Sequence, residues 1–134
     1  MAAFVEVPIN SLSSPMLDWA VAAAIELKMM HQESGGIAAC DAYRYISAKD
    51  AANTDPDYQP SIDWNQGGPL LAELLESGKW EALQGQHPGE VILQNGSVRL
   101  SGSLLVATCR AVVTTAFGRA VNVQRELIGR SEMP

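Results

Sequence analysis

Two segments of the chain place apolar residues at the three- and four-residue spacing of an amphipathic helix. The first follows Pro15 and runs to about His31, where a serine and two glycines end the pattern. The second follows Ser103 and ends at Gly118, a residue type suited to the position just after a helix. Because a period of about 3.6 residues aligns such positions on one face, we predict two long helices. The aligned positions are Leu17, Val21, Ala24, Ile25 and Lys28 in the first helix, and Leu105, Cys109, Val112 and Ala116 in the second.

The pair Asn95-Gly96 is the clearest turn signal in the chain. It stands between two short apolar runs, and both residue types tolerate the positive φ angles of a tight hairpin turn. We therefore predict a β-hairpin over residues 90–100. An apolar segment at residues 79–83 precedes it and is predicted to form a strand of the same sheet.

Other segments give weaker patterns. Residues 4–7 alternate apolar and polar positions and end at a proline, which is typical of a short strand at a sheet edge. Residues 43–46 and 121–123 also resemble short strands. Residues 48–55 are small and polar, which indicates an exposed loop or a single helical turn, and residues 128–134 are expected to be frayed.

Residues 58–69 combine turn residues, a tryptophan, two glycines and a proline ahead of an apolar run. Glycine accommodates positive φ and proline suits a first helical turn, so we predict a short helix from about Pro69 to Gly78. The unpaired N–H groups at such a helix start would face an anion or a polar ligand, so we interpret the loop as a binding corner. The leucines expected on one face of this helix are Leu70, Leu71, Leu74 and Leu75.

Length and composition place these elements in one domain spanning residues 1–134. With 134 residues, 47% hydrophobic and 18% charged, the chain suits a single globular core. We predict an α+β fold, in which two long helices and a short helix pack on one small, mostly antiparallel sheet; a mostly helical domain is the alternative. No apolar run reaches the ~20 residues of a membrane span, and the N-terminus lacks a basic signal-peptide region, so we expect a cytosolic protein.

Charge and cysteine spacing exclude several classes of site. The net charge is −6, and the nine basic residues are scattered, whereas binding a phosphate backbone needs clustered cations. The acidic residues are too dispersed to favour mimicry of a nucleic acid. Cys40, Cys109, His31 and His87 lack the short spacing of metal ligands, so buried thiols and exposed imidazoles are favoured. We therefore predict no catalytic residues, no metal site and no cofactor.

Three blocks occur in order along the chain: the motif Leu17-Asp18-Trp19-Ala20-Val21-Ala22, residues 58–69 and residues 104–123. Together they resemble a phage family of unknown function, the NinX-like proteins encoded among the accessory genes of tailed phages. This resemblance implies a phage or prophage origin and action inside a bacterial host cell. It supplies no catalytic residues to carry over to this chain.

The candidate binding residues gather around the loop at residues 58–69. Trp64 either fills the core beneath the loop or stacks on a ligand, and filling the core is favoured. Arg110 either pairs with an acid such as Asp63 or offers its planar group to a phosphate or carboxylate, and the structural pair is favoured. The aspartates that flank the loop are interpreted as turn caps rather than cation ligands. The candidate ligand- or partner-binding residues are Tyr58, Asp63, Trp64, Gly67, Gly68 and Arg110.

These observations lead to two main functional hypotheses. The leading one is a non-enzymatic phage accessory protein that binds a host protein in the host cytoplasm and inhibits a defence or regulatory system. The alternative is a small-molecule binder that sequesters a nucleotide-like signal at the loop, aided by Trp64 and Arg110. An enzyme of unknown class is the third. We expect neither nucleic acid nor membrane as a partner, and self-association is left open.

Overall fold

The structure, a computed structural model, describes residues 4–13, 15–34, 45–46, 51–52, 54–96, 98–125 and 127. The α-helices delimited there are α1 (Met16–Ser34), α2 (Trp64–Glu76) and α3 (Leu104–Phe117). The strands are β1 (Phe4–Pro8), β2 (Tyr45–Ile46), β3 (Glu81–Gln84), β4 (Val91–Asn95), β5 (Val98–Gly102) and β6 (Ala120–Gln124). A short 3-10 helix, Ile9–Ser11, follows β1.

The first sheet joins the two ends of the described chain. Its middle strand is β6, which pairs with β1 in antiparallel fashion on one side and with β2 in parallel fashion on the other. Val7 lies opposite Val121, and Ile46 lies opposite Val123. All four side chains are buried, so this sheet contributes one side of the hydrophobic core.

The second sheet is an antiparallel arrangement of β3, β4 and β5. It confirms the predicted hairpin and the strand before it. Asn95 is the last paired residue of β4, opposite Val98, and Gly96 opens the turn with a φ of 60°. Leu93 and Leu100 face each other across the hairpin and are buried, and α3 packs against both of their strands.

Helix α3 occupies the centre of the core, where it packs against α1, α2, β4 and β5. Ser103 caps its start by accepting the N–H of Val106, and Gly118 follows its end with a φ of 92°, as the sequence predicted. Buried residues occur around most of its circumference, which is the pattern of a fully enclosed helix rather than of a half-exposed one. They are Leu105, Ala107, Thr108, Cys109, Ala111, Val113 and Phe117.

The chain is α+β, but the predicted packing of two long helices and a short helix on one sheet is wrong, as is the mostly helical alternative. The strands form two sheets, because β6 pairs with β1 and β2 rather than with the hairpin. The helix expected to be short has 13 residues, close to the 14 of α3, because it begins at Trp64. Asp63 caps that start, and Pro69 therefore lies inside the helix.

Several predictions fall wholly or partly outside the described residues. These are the burial of Cys40, the first half of the strand at residues 43–46, much of the loop at residues 48–55, and the frayed tail at residues 128–134. The second half of that strand is described and forms β2. Among the described helices, none combines the length and the apolar character needed to cross a membrane.

Candidate functional site

A buried carboxylate anchors the segment that precedes α2. Asp18, in the first turn of α1, accepts the backbone N–H and the hydroxyl of Ser61, both at 3.1 Å. Both residues are buried, with exposed fractions of 2% and 3%. Hydrogen bonds to a charged acceptor in such a site are strong, because the carboxylate has lost its water. No local pattern indicates this contact, since its partners are 43 positions apart.

Gln66, in the first turn of α2, holds the same segment from the other side. Its side-chain oxygen accepts the N–H of Gln59 at 2.6 Å, and its side-chain nitrogen donates to the carbonyl of Asp57 at 2.9 Å. The carbonyl of Gln59 in turn accepts the N–H groups of Ile62 and Asp63. Residues 57–63 therefore form a closed, hydrogen-bonded loop, and the side chains that it exposes are held in defined positions.

Asp63 occupies the N-terminal cap of α2. Its carboxylate accepts the N–H of Asn65 at 2.9 Å, and its carbonyl accepts those of Gln66 and Gly67. The prediction that free N–H groups at about Pro69 would face an anion is therefore wrong, because the helix begins earlier and its first donors are occupied. The interpretation of the aspartates as turn caps is confirmed for Asp63 and for Asp55, whose carboxylate accepts the N–H two residues on.

Neither Gly67 nor Gly68 adopts positive φ, and only Gly67 is required for close packing. Both lie inside α2 with ordinary helical backbone, so the expected turn geometry is wrong. A Cβ atom on Gly67 would lie only 2.4 Å from the carbonyl oxygen of Pro60 and 2.7 Å from Cδ2 of Leu105. A Cβ atom on Gly68 would lie 3.7 Å from Cε3 of Trp64, an ordinary contact. The missing side chain at Gly67 thus lets α2 approach both the loop and α3.

Arg110 binds backbone carbonyls. Its Nε and Nη2 donate to the carbonyl of Leu12 at 3.2 and 2.9 Å, and its Nη1 donates to that of Ser101 at 2.6 Å. Within the described chain Asp63 and Arg110 therefore each bond elsewhere, and the favoured ion pair between them is wrong. Burial of the guanidinium lowers the pKa of Arg110. The side chain, carried by α3, ties the end of the 3-10 helix to β5, so all of its hydrogen bonds in the described part of the structure go to backbone carbonyls of the fold.

Trp64 is exposed, so the prediction that it fills the core is wrong. It is the first residue of α2, and 55% of its surface remains accessible. Ile62 beside it is 64% exposed and Leu75 near the end of the helix is 44% exposed. The four leucines expected on one face are divided, because Leu74 is buried.

Residues four, seven and eleven positions after Trp64 share its side of the helix. We call this set, Trp64, Gly68, Leu71 and Leu75, the α2 stripe.

Tyr58 and Cys109 lie beneath the loop. Tyr58 packs half-buried against the core, and burial, together with the negative charges that Cys109 and Asp18 can carry, raises the pKa of its phenol to about 12. Burial, with a smaller effect of Asp18, raises the pKa of the Cys109 thiol to about 12 as well. Both groups are therefore protonated at neutral pH. The prediction of a buried, reduced thiol is confirmed for Cys109, and a neutral thiol is a poor nucleophile.

Five of the six candidate residues lie in the loop or in α2, but they do not share one surface: Tyr58 and Gly67 face the core, whereas Trp64 faces outward. Asp63 caps the helix, Gly68 lies in its first turns, and Arg110 binds backbone carbonyls elsewhere. Of the described residues, no group of three or more His, Cys, Asp or Glu is placed to hold a metal ion. The sequence analysis missed Asp18, Ser61 and Gln66 as the residues that shape the loop. It also missed Ile62 and Leu75 as exposed apolar residues; the spacing of Leu75 from Trp64 is the one signal that pointed to it.

Comparison with known proteins places the chain in a family. Residues 9–115 match the family described as Bacteriophage P22, NinX. No curated protein and no solved structure matches the chain significantly. Because the match covers most of the chain, the protein belongs to this NinX family of phage proteins, and the resemblance noted in its sequence is confirmed.

Proposed function

We propose that this phage protein acts by binding a host protein through the surface formed by Ile62 and the α2 stripe. The observation that carries the proposal is the 55% exposure of Trp64, flanked by the still more exposed Ile62. A large aromatic ring beside other exposed apolar side chains is typical of protein interaction sites, where tryptophan is among the residues that contribute most to affinity.

The order of the surrounding loop supports a binding role. Two independent ties, Asp18 to Ser61 and Gln66 to Gln59, fix the chain just before Ile62, and the cap at Asp63 fixes it just after. A surface that is already ordered before binding loses less conformational entropy on association than a mobile loop does. Exposed apolar residues in a rigid setting therefore suit recognition of a partner.

The nucleotide-binding alternative receives less support. It relied on Arg110 and on free N–H groups at the start of a helix, but Arg110 donates to two carbonyls and Asp63 caps that start. A ligand stacked on Trp64 would then lack the placed polar groups that fix the orientation of a small molecule.

We further propose that the protein acts in the host cytoplasm and inhibits a defence or regulatory system there by binding, without catalysing a reaction. Membership of a phage family supports the setting. The state of the titratable groups near the surface supports binding over catalysis: Asp63 and Asp18 are engaged in structural hydrogen bonds, and Tyr58 and Cys109 are protonated at neutral pH.

A pull-down from bacterial host lysate tests the binding proposal. Three tagged proteins are compared: the wild type, Trp64→Ala and the control Phe4→Ala, which removes another exposed aromatic side chain from β1. We expect one protein to be recovered in stoichiometric amount with the wild type and with Phe4→Ala, and to be lost with Trp64→Ala. Recovery of no stoichiometric partner, or equal recovery by all three, would contradict the proposal.

The inhibitory role is tested in the host. Cells that express the wild type or Trp64→Ala are infected with a phage that the host normally restricts, and plaques are counted. Restored plating with the wild type alone is the expected result. If restoration is the same with Trp64→Ala at equal protein level, inhibition does not act through this surface.

A further inference from the structure

The α2 stripe has the dimensions of a helix-packing face. From Trp64 to Leu75 it covers about three helical turns, roughly 16 Å along the axis, and its four residues lie within roughly 60° of one another around it. Gly68 adds no side chain between Trp64 and Leu71, and the ring of Trp64 lies 3.7 Å from where its Cβ atom would be. The neighbouring face, roughly 60–80° around the axis from Trp64, already makes its contact, because Gly67 and Leu74 are buried there and α2 packs against α3. The stripe is thus an apolar helical face on a supported helix.

The charges around the stripe are of one sign. Asp55 and Asp57 are exposed on the loop before α2, Glu76 is exposed at its last residue, and the one basic residue between positions 54 and 80 is Lys79. Such a field attracts a cationic surface and repels an anionic one. The partner should therefore carry basic residues beside its apolar face.

We infer that the α2 stripe binds an amphipathic helix of the partner whose apolar face is bordered by Lys and Arg. This inference rests on the proposed function and names the kind of partner for the same surface. Apolar anchors at i, i+7 and i+11 match the apolar positions of a helix laid alongside, and the basic residues of that helix face the acids of α2 and of the loop. A second copy of this chain does not meet the requirement, because pairing two stripes brings the same acids together in a protein of net charge −6.

Two synthetic peptides test the inference directly. Each has about 14 residues, enough for nearly four helical turns, and the same leucine pattern; one carries lysine at every polar position and the other carries glutamate. Binding is measured by fluorescence anisotropy of the labelled peptide. We expect the lysine peptide to bind at least about tenfold more tightly than the glutamate peptide, and more weakly as salt rises from roughly 50 to roughly 500 mM.

Variants separate specific docking from general attraction between opposite charges. Trp64→Ala and Leu75→Ala should each weaken binding of the lysine peptide at least about fivefold, with unchanged circular dichroism, whereas Phe4→Ala should not. Glu76→Gln should weaken it about twofold or more, whereas Glu6→Gln, an exposed acid on β1, should not.

The inference is overturned if the lysine peptide does not bind, if both peptides bind equally, or if Trp64→Ala leaves the affinity unchanged. It is also overturned if light scattering shows a dimer of the wild type that Trp64→Ala dissociates, because a second copy then covers the stripe. These outcomes can be distinguished from failure of the proposed function. If a partner is captured from lysate in a Trp64-dependent manner but neither peptide binds, the host-protein proposal stands and only the inference of a basic helix is refuted.

Discussion

Gly67 and Gly68 are neighbours in α2 that should respond in opposite ways to the same added methyl group. Both have helical backbone, so the conformational benefit of alanine is the same at each position. Their surroundings differ. The new Cβ atom would lie 2.4 Å from the Pro60 carbonyl oxygen in Gly67→Ala, but no closer than 3.7 Å to Trp64 in Gly68→Ala. This pair therefore measures whether α2 is packed against the loop as closely as the structure has it.

The magnitudes follow from two competing effects. Alanine favours a helix over glycine by about 1 kcal/mol, and this alone should make Gly68→Ala more stable by about 0.5–1 kcal/mol. At Gly67 the clash involves backbone of Pro60 and the side chain of Leu105, so α2 must move away from both. Overpacking of this kind costs about 1–3 kcal/mol or more, which exceeds the helical benefit. We expect Gly67→Ala to lose about 1–2 kcal/mol net.

Urea denaturation followed by circular dichroism measures both values, and thermal melting gives a second readout of roughly 3–5 °C per kcal/mol for a chain of this size. The expected order of stability is Gly68→Ala, then wild type, then Gly67→Ala. A Gly67→Ala protein as stable as the wild type would refute the close contact between α2 and Pro60. A Gly68→Ala protein that is clearly destabilised would refute the open environment assigned to that face of the helix.

Other predictions concern single side chains. Arg110→Lys should lose about 1–2 kcal/mol of stability, because a single ammonium nitrogen does not reproduce the donors that the guanidinium presents to two carbonyls from three separate nitrogens. Arg99→Lys, at an exposed position, should change stability by less than about 0.5 kcal/mol, and urea denaturation measures both. In an absorbance titration, one of the three tyrosines should ionise only near pH 12, and Tyr58→Phe should remove that step. The folded state raises the pKa of the Cys109 thiol from 9.0 to about 12. The contribution of the buried neutral thiol to stability is therefore complete below pH 9 and is lost as the pH rises towards 12. Cys109→Ala should accordingly reduce the fall in the free energy of unfolding between pH 9 and pH 12. Trp64→Ala should shift the melting temperature by no more than a few degrees, corresponding to less than about 1 kcal/mol, since its ring is mostly exposed.

The sequence predicted well those elements whose geometry is determined by residues within or next to the element itself. The hairpin depends on Gly96 between two apolar runs, with a φ of 60°, and its turn begins one residue later than the pair Asn95-Gly96 suggests because Asn95 is still paired in β4. The end of α3 depends on Gly118, whose φ of 92° disfavours other residue types. In each case the residue that determines the geometry lies within a few positions of the element it shapes. Local patterns of this kind are visible without knowledge of the rest of the chain.

The features that the sequence did not predict depend on contacts between distant segments. The pairing of β6 with β1 and β2 separates the strands into two sheets, and no local pattern states which strands become neighbours. The same applies to the side chain of Asn10, which bonds the carbonyl of Arg99 and the N–H of Ser101 and so joins the 3-10 helix to the edge of β5. An acidic partner was predicted for Arg110 because a partly buried cation usually pairs with an anion. In the fold, backbone carbonyls of two other segments accept its hydrogen bonds instead.

Trp64 is exposed rather than buried because α2 begins five residues earlier than the sequence predicted. A helix starting at Pro69 would leave Trp64 in a loop, where its ring is free to fill the core. Asp63 instead caps the helix, and the helix then fixes the direction of every side chain that follows. With Leu74 buried, a residue ten positions earlier lies roughly 80° away from it around the axis, so Trp64 is carried off the buried face. The exposed part of the Trp64 ring contributes no burial energy to the stability of the fold. An exposed apolar ring also favours aggregation. The exposure of Trp64 is therefore the observation on which the proposed partner contact rests.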